Sequence, residues 1–243
     1  MNVLRRILIM GEMHGRDLTR RHAALALLIA LPLSFYLAST RSGATAVSAG
    51  GVGMAFAVSG ATMFSILSSI EVDQRLVLAG YRPIELLMGR LLFLGPLGLV
   101  IAAGFSALMA TLSHPARPWL LVAGVGLVAL QSVPFGLAVG AALARELEGT
   151  LVLIGVIGLQ LAVELTSPVA KVLPFYGPSR LISSSLTQDG PILGPLVQTS
   201  LYGLALMILA RLFVARRVDV QQHLPHADVA DVAHPGEPEL DEA

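Results

Sequence analysis

The chain has 243 residues, of which 55% are hydrophobic and 13% are charged, and its formal net charge is zero. A water-soluble domain of ordinary composition carries about 25% charged residues, so the composition excludes a typical soluble enzyme or binding domain. The absence of cysteine excludes disulfide bonds, thiolate nucleophiles and thiolate metal sites.

Long apolar windows, taken from the first to the last, predict the architecture. A spanning helix needs about 20 apolar residues, because each residue rises about 1.5 Å and the hydrocarbon core is about 30 Å thick. Windows of this kind fall at 22–39, 45–70, 86–112, 119–144, 149–170 and 191–214. A transmembrane β-barrel would alternate polar and apolar residues in segments of about ten, whereas residues 120–130 are apolar throughout. The sequence therefore predicts an all-α integral membrane protein with six transmembrane helices, which form one domain over 22–217.

The positive charges predict how these helices are oriented. If the amino terminus is cytoplasmic, twelve of the 16 Lys and Arg residues fall in cytoplasmic segments and only Arg41, Arg117, Lys171 and Arg180 lie outside. Cytoplasmic loops carry an excess of Lys and Arg, so both termini are expected in the cytoplasm and the chain in the cell inner (plasma) membrane. An alternative is a cleaved signal peptide ending near Ala44-Thr45-Ala46, which would leave five spans.

The two ends of the chain differ from its apolar middle. Residues 1–21 place apolar residues on one side of a helix and predict an N-terminal amphipathic helix at the cytoplasmic interface; the alternative is a basic leader that only sets topology. Residues 218–243 hold seven acids and no Lys or Arg, which predicts a disordered acidic tail. We predict no metal site there, because His223, His226 and His234 lack an ordered scaffold.

A charged stretch, EVDQRLVLAGYRPIELLMGR at residues 71–90, interrupts the apolar chain between the second and third predicted spans. An acid stands near its start, Gly80 follows an apolar run, and Pro83 precedes the next apolar run. These are the signals of a short helix that ends at a glycine, followed by a new helix that begins at a proline. Both a docking surface for a partner and a plain connector fit this pattern.

Together, the amphipathic leader, six spans, the form E-x-D-x-R-L…G-Y-R-P…L-x-x-G-R at 71–90, and L-P-F-Y-G-P-S-R at 173–180 resemble type-2 permease subunits of ATP-binding-cassette (ABC) exporters. The resemblance covers roughly residues 1–217 and implies that the short cytoplasmic helix is a coupling helix, seated in a groove of a separate ATPase subunit. The contact residues implied are Glu71, Asp73, Gln74, Arg75, Leu76, Leu78, Gly80, Arg82 and Pro83.

The same resemblance implies which partners supply the energy. Many family members begin the coupling helix with an acidic pair followed by Gly-Thr, which this stretch lacks. A similar string, Glu146-Leu147-Glu148-Gly149-Thr150, lies in the next predicted cytoplasmic loop, where Glu146 and Glu148 would form a second ATPase contact or simply cap the fifth span. The chain has no G-x-x-x-x-G-K-[ST] phosphate loop, so we expect no cofactor in this chain, with ATP and Mg in the partner ATPase. A second permease subunit, identical or not, is also implied, and no nucleic acid.

Polar residues inside apolar windows are the candidates for a translocation pathway. They are Gln131, Gln160, Glu164 and Gln198. Each Gln fits either a hydrogen bond between helices or a cavity wall, and Glu164 fits either a hydrated outer boundary or a substrate route.

The function expected from these features is ATP-driven export of an amphiphilic substrate, such as a drug, an antibiotic or a lipid-like molecule. A secondary carrier or channel that uses Glu164 as an ion or proton site is the alternative. A membrane enzyme is a further alternative, although its nearest candidate group, His14-Gly15-Arg16-Asp17, has no partner set in the sequence.

Overall fold

The computed structural model describes residues 5, 8–13, 15, 22–40, 44–143, 145–188 and 190–222. Within these residues every regular element is helical. The helices are α1 (His22–Ala38), α2 (Ala44–Leu67), α3 (Ile70–Leu78), α4 (Pro83–Ser113), α5 (Pro118–Ala142), α6 (Glu146–Ala162), a 3-10 helix (Val169–Val172), α7 (Tyr176–Ser185) and α8 (Leu193–Gln222).

Four of these helices are long and apolar enough to cross a membrane. They are α2, α4, α5 and α8, whose apolar segments run over Thr45–Leu67, Pro83–Ser113, Pro118–Ala142 and Leu193–Arg216. Helices α1 and α6 have 17 residues each, about 25 Å of helix, which is slightly shorter than the hydrocarbon core. The predicted all-helical fold is therefore confirmed over the described residues and is consistent with a membrane protein, while the predicted number of six spans is not confirmed.

Helices α2 and α5 form the centre of the bundle, because most residues of both are buried and α5 packs against α2, α4, α6, α7 and α8. The G-x-x-x-G sequence formed by Gly136 and Gly140 predicts close approach of another helix to α5, and this approach is confirmed. A Cβ atom added at Gly136 would collide with the carbonyl of Ser59 and the hydroxyl of Thr62, and one at Gly140 would lie 3.0 Å from the carbonyl oxygen of Met63. The two backbones therefore touch where side chains would otherwise separate them.

Three glycines near the start of α2 each lie in close contact with a different neighbouring helix. An added Cβ at Gly50 would lie 3.0 Å from the Met109 sulfur in α4, and one at Gly53 would lie 2.9 Å from Phe35 in α1. At Gly51 the neighbour is Ile182 in α7, at 2.7 Å. The start of α2 is therefore closely packed against α1, α4 and α7.

The long connection between α6 and α8 folds back into the bundle. Helix α7 packs against α5 and α8, and its Leu181 and Ile182 are fully buried. Aromatic side chains such as Phe175 are frequent at membrane-water boundaries, but Phe175 is buried and meets Phe135 of α5 edge to face, with ring centroids 5.4 Å apart. The connection is thus part of the core.

The predicted terminal segments are described in part. Residues 8–13 are helical, Met10 is buried, and a Cβ at Gly11 would lie 3.4 Å from the Gly89 carbonyl oxygen, so this segment packs on α4. At the other end α8 continues to Gln222, four residues beyond the predicted start of the tail at 218–243. Residues 223–243, and with them His14, Arg16 and Asp17, lie outside the described residues.

Candidate functional site

The charged stretch forms the predicted short helix, α3, and ends as the glycine indicated. The Gly80 amide donates to the Val77 carbonyl at 2.9 Å, and the Tyr81 amide donates to the Leu76 carbonyl at 3.0 Å. These two bonds define a Schellman motif, which requires a residue in the left-handed region after the helix. Gly80 has φ +89°, a conformation that glycine adopts without the strain a Cβ atom would cause.

Helix α4 begins at Pro83, as the sequence predicted. The backbone amide of Arg82 donates to Oε2 of Glu85 at 3.0 Å, so the glutamate side chain satisfies an amide at the helix start. Glu85 is only 2% exposed. The turn between α3 and α4 is therefore held at both of its ends by local hydrogen bonds.

A buried ion pair joins α3 to α4. The Nη2 of Arg90 donates to both carboxylate oxygens of Asp73, at 2.9 and 2.6 Å, and to the Ser69 hydroxyl. The Arg90 side chain is 1% exposed and that of Asp73 is 18% exposed. The Arg90 Nε is buried and has no acceptor among the described residues. Asp73, one of the predicted ATPase contacts, is therefore bound within the chain.

The opposite side of α3 is open. Arg75 is exposed, and Leu78, one turn further on, exposes 81% of its area. Gly80 and Arg82 continue this exposed surface. The remaining predicted contacts, Gln74, Leu76 and Pro83, are partly buried, and Glu71 lies in α3 with its side chain outside what the structure describes. We call Arg75, Leu78 and Arg82 the exposed edge of α3.

Glu146 and Glu148 lie in the first turn of α6, where the helix dipole favours acidic side chains. Glu148 is 3.5 Å from Nη1 of Arg145 in an exposed ion pair. Glu146 is also exposed, and it lines the same cavity as Asp73 and Leu76 of α3. The two predicted cytoplasmic contact regions therefore lie near each other on the described bundle.

The four predicted pathway residues are not brought into one group. Gln131 is buried and donates through Nε2 to the carbonyl of Pro174, while Gln160 is buried in α6. Gln198 is partly buried in the second turn of α8 and donates to the carbonyl of Lys171 at 2.6 Å. Gln131 and Gln198 therefore both donate hydrogen bonds to backbone carbonyls of the connection between α6 and α8.

Glu164 does not lie within a helix, because α6 ends at Ala162 rather than continuing through the predicted window 149–170. Its side chain is exposed, and its only described side-chain partner is the Thr166 hydroxyl at 3.4 Å. This exposed position beyond the helix end fits the hydrated boundary, which is one of the two interpretations left open by the sequence. The predicted window placed the end of this span at residue 170, although Glu164 and Pro168 already interrupt its apolar residues.

A cavity of about 560 Å³ lies between α1, α2 and α3. Its wall is mainly apolar and includes Leu27, Leu31 and Phe56, and at one end it becomes polar. The residues of the polar end are Ser65, Ser68, Ser69, Asp73 and Glu146. The described residues contain no cluster of three His, Asp or Glu side chains that could hold a metal.

No protein-family model matches the chain, and no curated protein matches it significantly. Over the described residues, the fold defines the class of protein: it is all-helical and has four helices that are long and apolar enough to cross a membrane. Its most distinctive described feature is a short charged helix that is bound on one side and exposed on the other.

Proposed function

We propose that this chain is the membrane-spanning permease subunit of an ABC-type exporter, with α3 as its coupling helix. The observation that supports this proposal best is the asymmetry of α3. Asp73 ties α3 to Arg90 of α4, whereas Arg75 and Leu78 extend from the protein. This arrangement suits a part that is gripped by a partner and moves a spanning helix.

The ion pair supplies the mechanical connection. Separating α3 from α4 would leave the buried Arg90 guanidinium without its counter-ion, which is unfavourable, so a displacement of α3 is expected to carry α4 with it. The Glu85 bond and the Schellman motif stiffen the turn between them. A plain connector has no need for these three constraints, and their combination favours the coupling hypothesis over that alternative.

The remaining parts of the machine belong to partners. ATP and Mg bind a separate ATPase subunit, whose closure on ATP pushes the exposed edge of α3, and a second permease subunit completes the transporter. The chain resides in the cell membrane with both termini cytoplasmic, which follows the distribution of Lys and Arg. The substrate is amphiphilic and moves outward as the permease alternates between two states.

Co-purification with an ATPase tests this proposal. The double variant Arg75→Glu, Leu78→Asp should lower the recovered ATPase by about tenfold. The reason is that a carboxylate replaces both the apolar side chain and the cation at the centre of the proposed interface. The tagged chain is purified in mild detergent from the cells that naturally produce it, and the amount of ATPase recovered with it is measured.

A matched control comes from the connection before α7. Lys171→Glu, Val172→Asp makes the same two changes at another exposed cation and exposed apolar residue, on the predicted outer side, and should leave ATPase recovery unchanged. Equal recovery with the wild type and the α3 double variant would contradict the proposal, as would failure of the wild-type chain to retain any ATPase.

Glu164→Gln separates the exporter from the secondary carrier. The exporter hypothesis predicts unchanged ATP-dependent transport, because Glu164 is exposed beyond the end of α6. Release of a fluorescent alkylammonium from proteoliposomes is measured with ATP, and separately with a proton gradient alone. Transport driven by the gradient alone, and lost in Glu164→Gln, would establish the carrier instead.

A further inference from the structure

We propose that the cavity between α1, α2 and α3 binds a single-chain amphiphile with a cationic head, and that this class of molecule is the cargo. The assignment as cargo rests on the proposed function, whereas the binding itself does not. The cavity measures about 560 Å³, which is within the range of about 300–1,000 Å³ found for small-molecule sites.

The length of the cavity matches one leaflet of a bilayer. Along α2 and the turn after it, the wall runs from Phe56 and Ala57 to Ser69, a distance of about 18 Å at 1.5 Å per residue. Half of the hydrocarbon core is about 15 Å. On the predicted topology the polar end faces the cytoplasm, so the cavity parallels an alkyl chain of the inner leaflet.

The wall reaches the outer surface of the bundle. Leu27 and Phe64 contribute to the cavity and are also 59% and 43% exposed. An apolar chain could therefore pass from the surrounding lipid into the cavity without crossing water. Near the polar end, binding would remove apolar surface of the ligand and of the cavity wall from water. Elsewhere it would exchange contacts with lipid for contacts with the protein.

The charges at the polar end favour a cation. Among the described lining residues there are two carboxylates, Asp73 and Glu146, and no Lys, Arg or His. Arg90 binds Asp73 and balances its charge, while no described Lys or Arg forms an ion pair with Glu146. The hydroxyls of Ser65 and Ser68 add polar groups but no positive charge. An anionic head would meet an unbalanced carboxylate here, whereas an ammonium head would be attracted.

Gly60 keeps the middle of the cavity open. A Cβ atom added at Gly60, which lines the cavity, would meet no atom within 4 Å. By contrast, Gly50, Gly51 and Gly53 of the same helix are each in tight contact with a neighbouring helix. Gly60→Leu should therefore fill the cavity without straining the bundle, and this variant provides the test.

The experiment measures photolabelling of the full chain by a diazirine-bearing dodecyltrimethylammonium in phosphatidylcholine nanodiscs. Specific labelling is the part displaced by excess unreactive dodecyltrimethylammonium, and labelled peptides are mapped by mass spectrometry. We expect Gly60→Leu to weaken specific binding by about tenfold or more, because the added side chain occupies the space of the alkyl chain. The control Gly104→Leu, at a glycine that also faces open space but does not line the cavity, should bind like the wild type.

Head-group selectivity is tested with the same chain length. Dodecyl sulfate should displace the probe far less well than dodecyltrimethylammonium, with dodecyl maltoside between them. Glu146→Gln should reduce the preference for the cation by about two- to fivefold, which corresponds to an exposed ion pair. Glu148→Gln, in the same helical turn but outside the cavity wall, should not change it.

Three results would overturn the inference. They are equal labelling in the wild type and Gly60→Leu, equal displacement by the sulfate and the ammonium, and loss of self-association rather than of labelling in Gly60→Leu. The last would assign the cavity to a second copy of the chain. Loss of labelling in Gly60→Leu without any co-purifying ATPase would keep the site and reject the exporter, whereas ATPase recovery with unaltered labelling would reject only the site.

Discussion

Asp73→Ala should lower the free energy of unfolding by about 3–5 kcal/mol, because it leaves the Arg90 guanidinium buried without its counter-ion. Arg90 is 1% exposed and its Nε already lacks an acceptor among the described residues. The Ser69 hydroxyl would be its one remaining described partner. The unfolding free energy is measured by denaturant titration of the purified chain in detergent micelles.

Two further variants separate the ion pair from the helix that carries it. Arg75→Ala, two residues away in α3 and exposed, should leave stability nearly unchanged. The double replacement Asp73→Leu, Arg90→Met removes both charges and should recover most of the loss, since a buried ion pair replaced by apolar residues is often neutral. If Asp73→Ala is as stable as Arg75→Ala, the ion pair does not hold α3 to α4.

Gly136→Ala should also be severely destabilising, near the upper end of the about 1–3 kcal/mol that overpacking costs. The added methyl group collides with the Ser59 carbonyl and the Thr62 hydroxyl, and neither atom can move far. The Ser59 carbonyl belongs to the backbone of α2, and the Thr62 hydroxyl donates to it at 2.9 Å. Helices α2 and α5 must therefore separate along the centre of the bundle, and the yield of folded protein in detergent should fall together with the thermal unfolding temperature.

Gly126→Ala provides the comparison in the same helix. Its added Cβ would lie 3.6 Å from the nearest atom, in Leu99, which is an ordinary contact. Alanine is favoured over glycine in a helix by about 1 kcal/mol, so this variant should be as stable as the wild type or slightly more stable. Similar unfolding temperatures for Gly136→Ala and Gly126→Ala would show that the α2–α5 contact is looser than the structure indicates.

The sequence predicted those features that depend on local chemistry. The glycine after α3, the proline at the start of α4 and the close-packing glycines of α5 each impose a backbone requirement that is visible in a few neighbouring residues. The apolar windows likewise located α2, α4, α5 and α8, because hydropathy over 20 residues depends little on tertiary structure.

Features that depend on distant partners could not be predicted. The ion pair between Arg90 and Asp73 was not predicted, since nothing in the sequence around Arg90 shows that it pairs with a residue 17 positions earlier. The end of α6 at Ala162 falls inside the predicted window 149–170, and Phe175 is buried because α5 supplies an aromatic partner. Asp73 was predicted to contact a partner, but it is bound to Arg90. The exposed edge of α3 takes its place as the proposed contact surface.

Helix α4 has 31 residues, about 46 Å at 1.5 Å per residue, which equals or slightly exceeds the about 40–45 Å thickness of a bilayer with its head groups. The end near Arg90 is bonded to α3, and on the predicted topology this end is cytoplasmic and the other end reaches the opposite membrane surface. If such a rod tilts by about 10° around its midpoint, each end swings by about 4 Å. A small displacement of one end of α4 would thus move its other end, on the far side of the membrane, in the opposite direction.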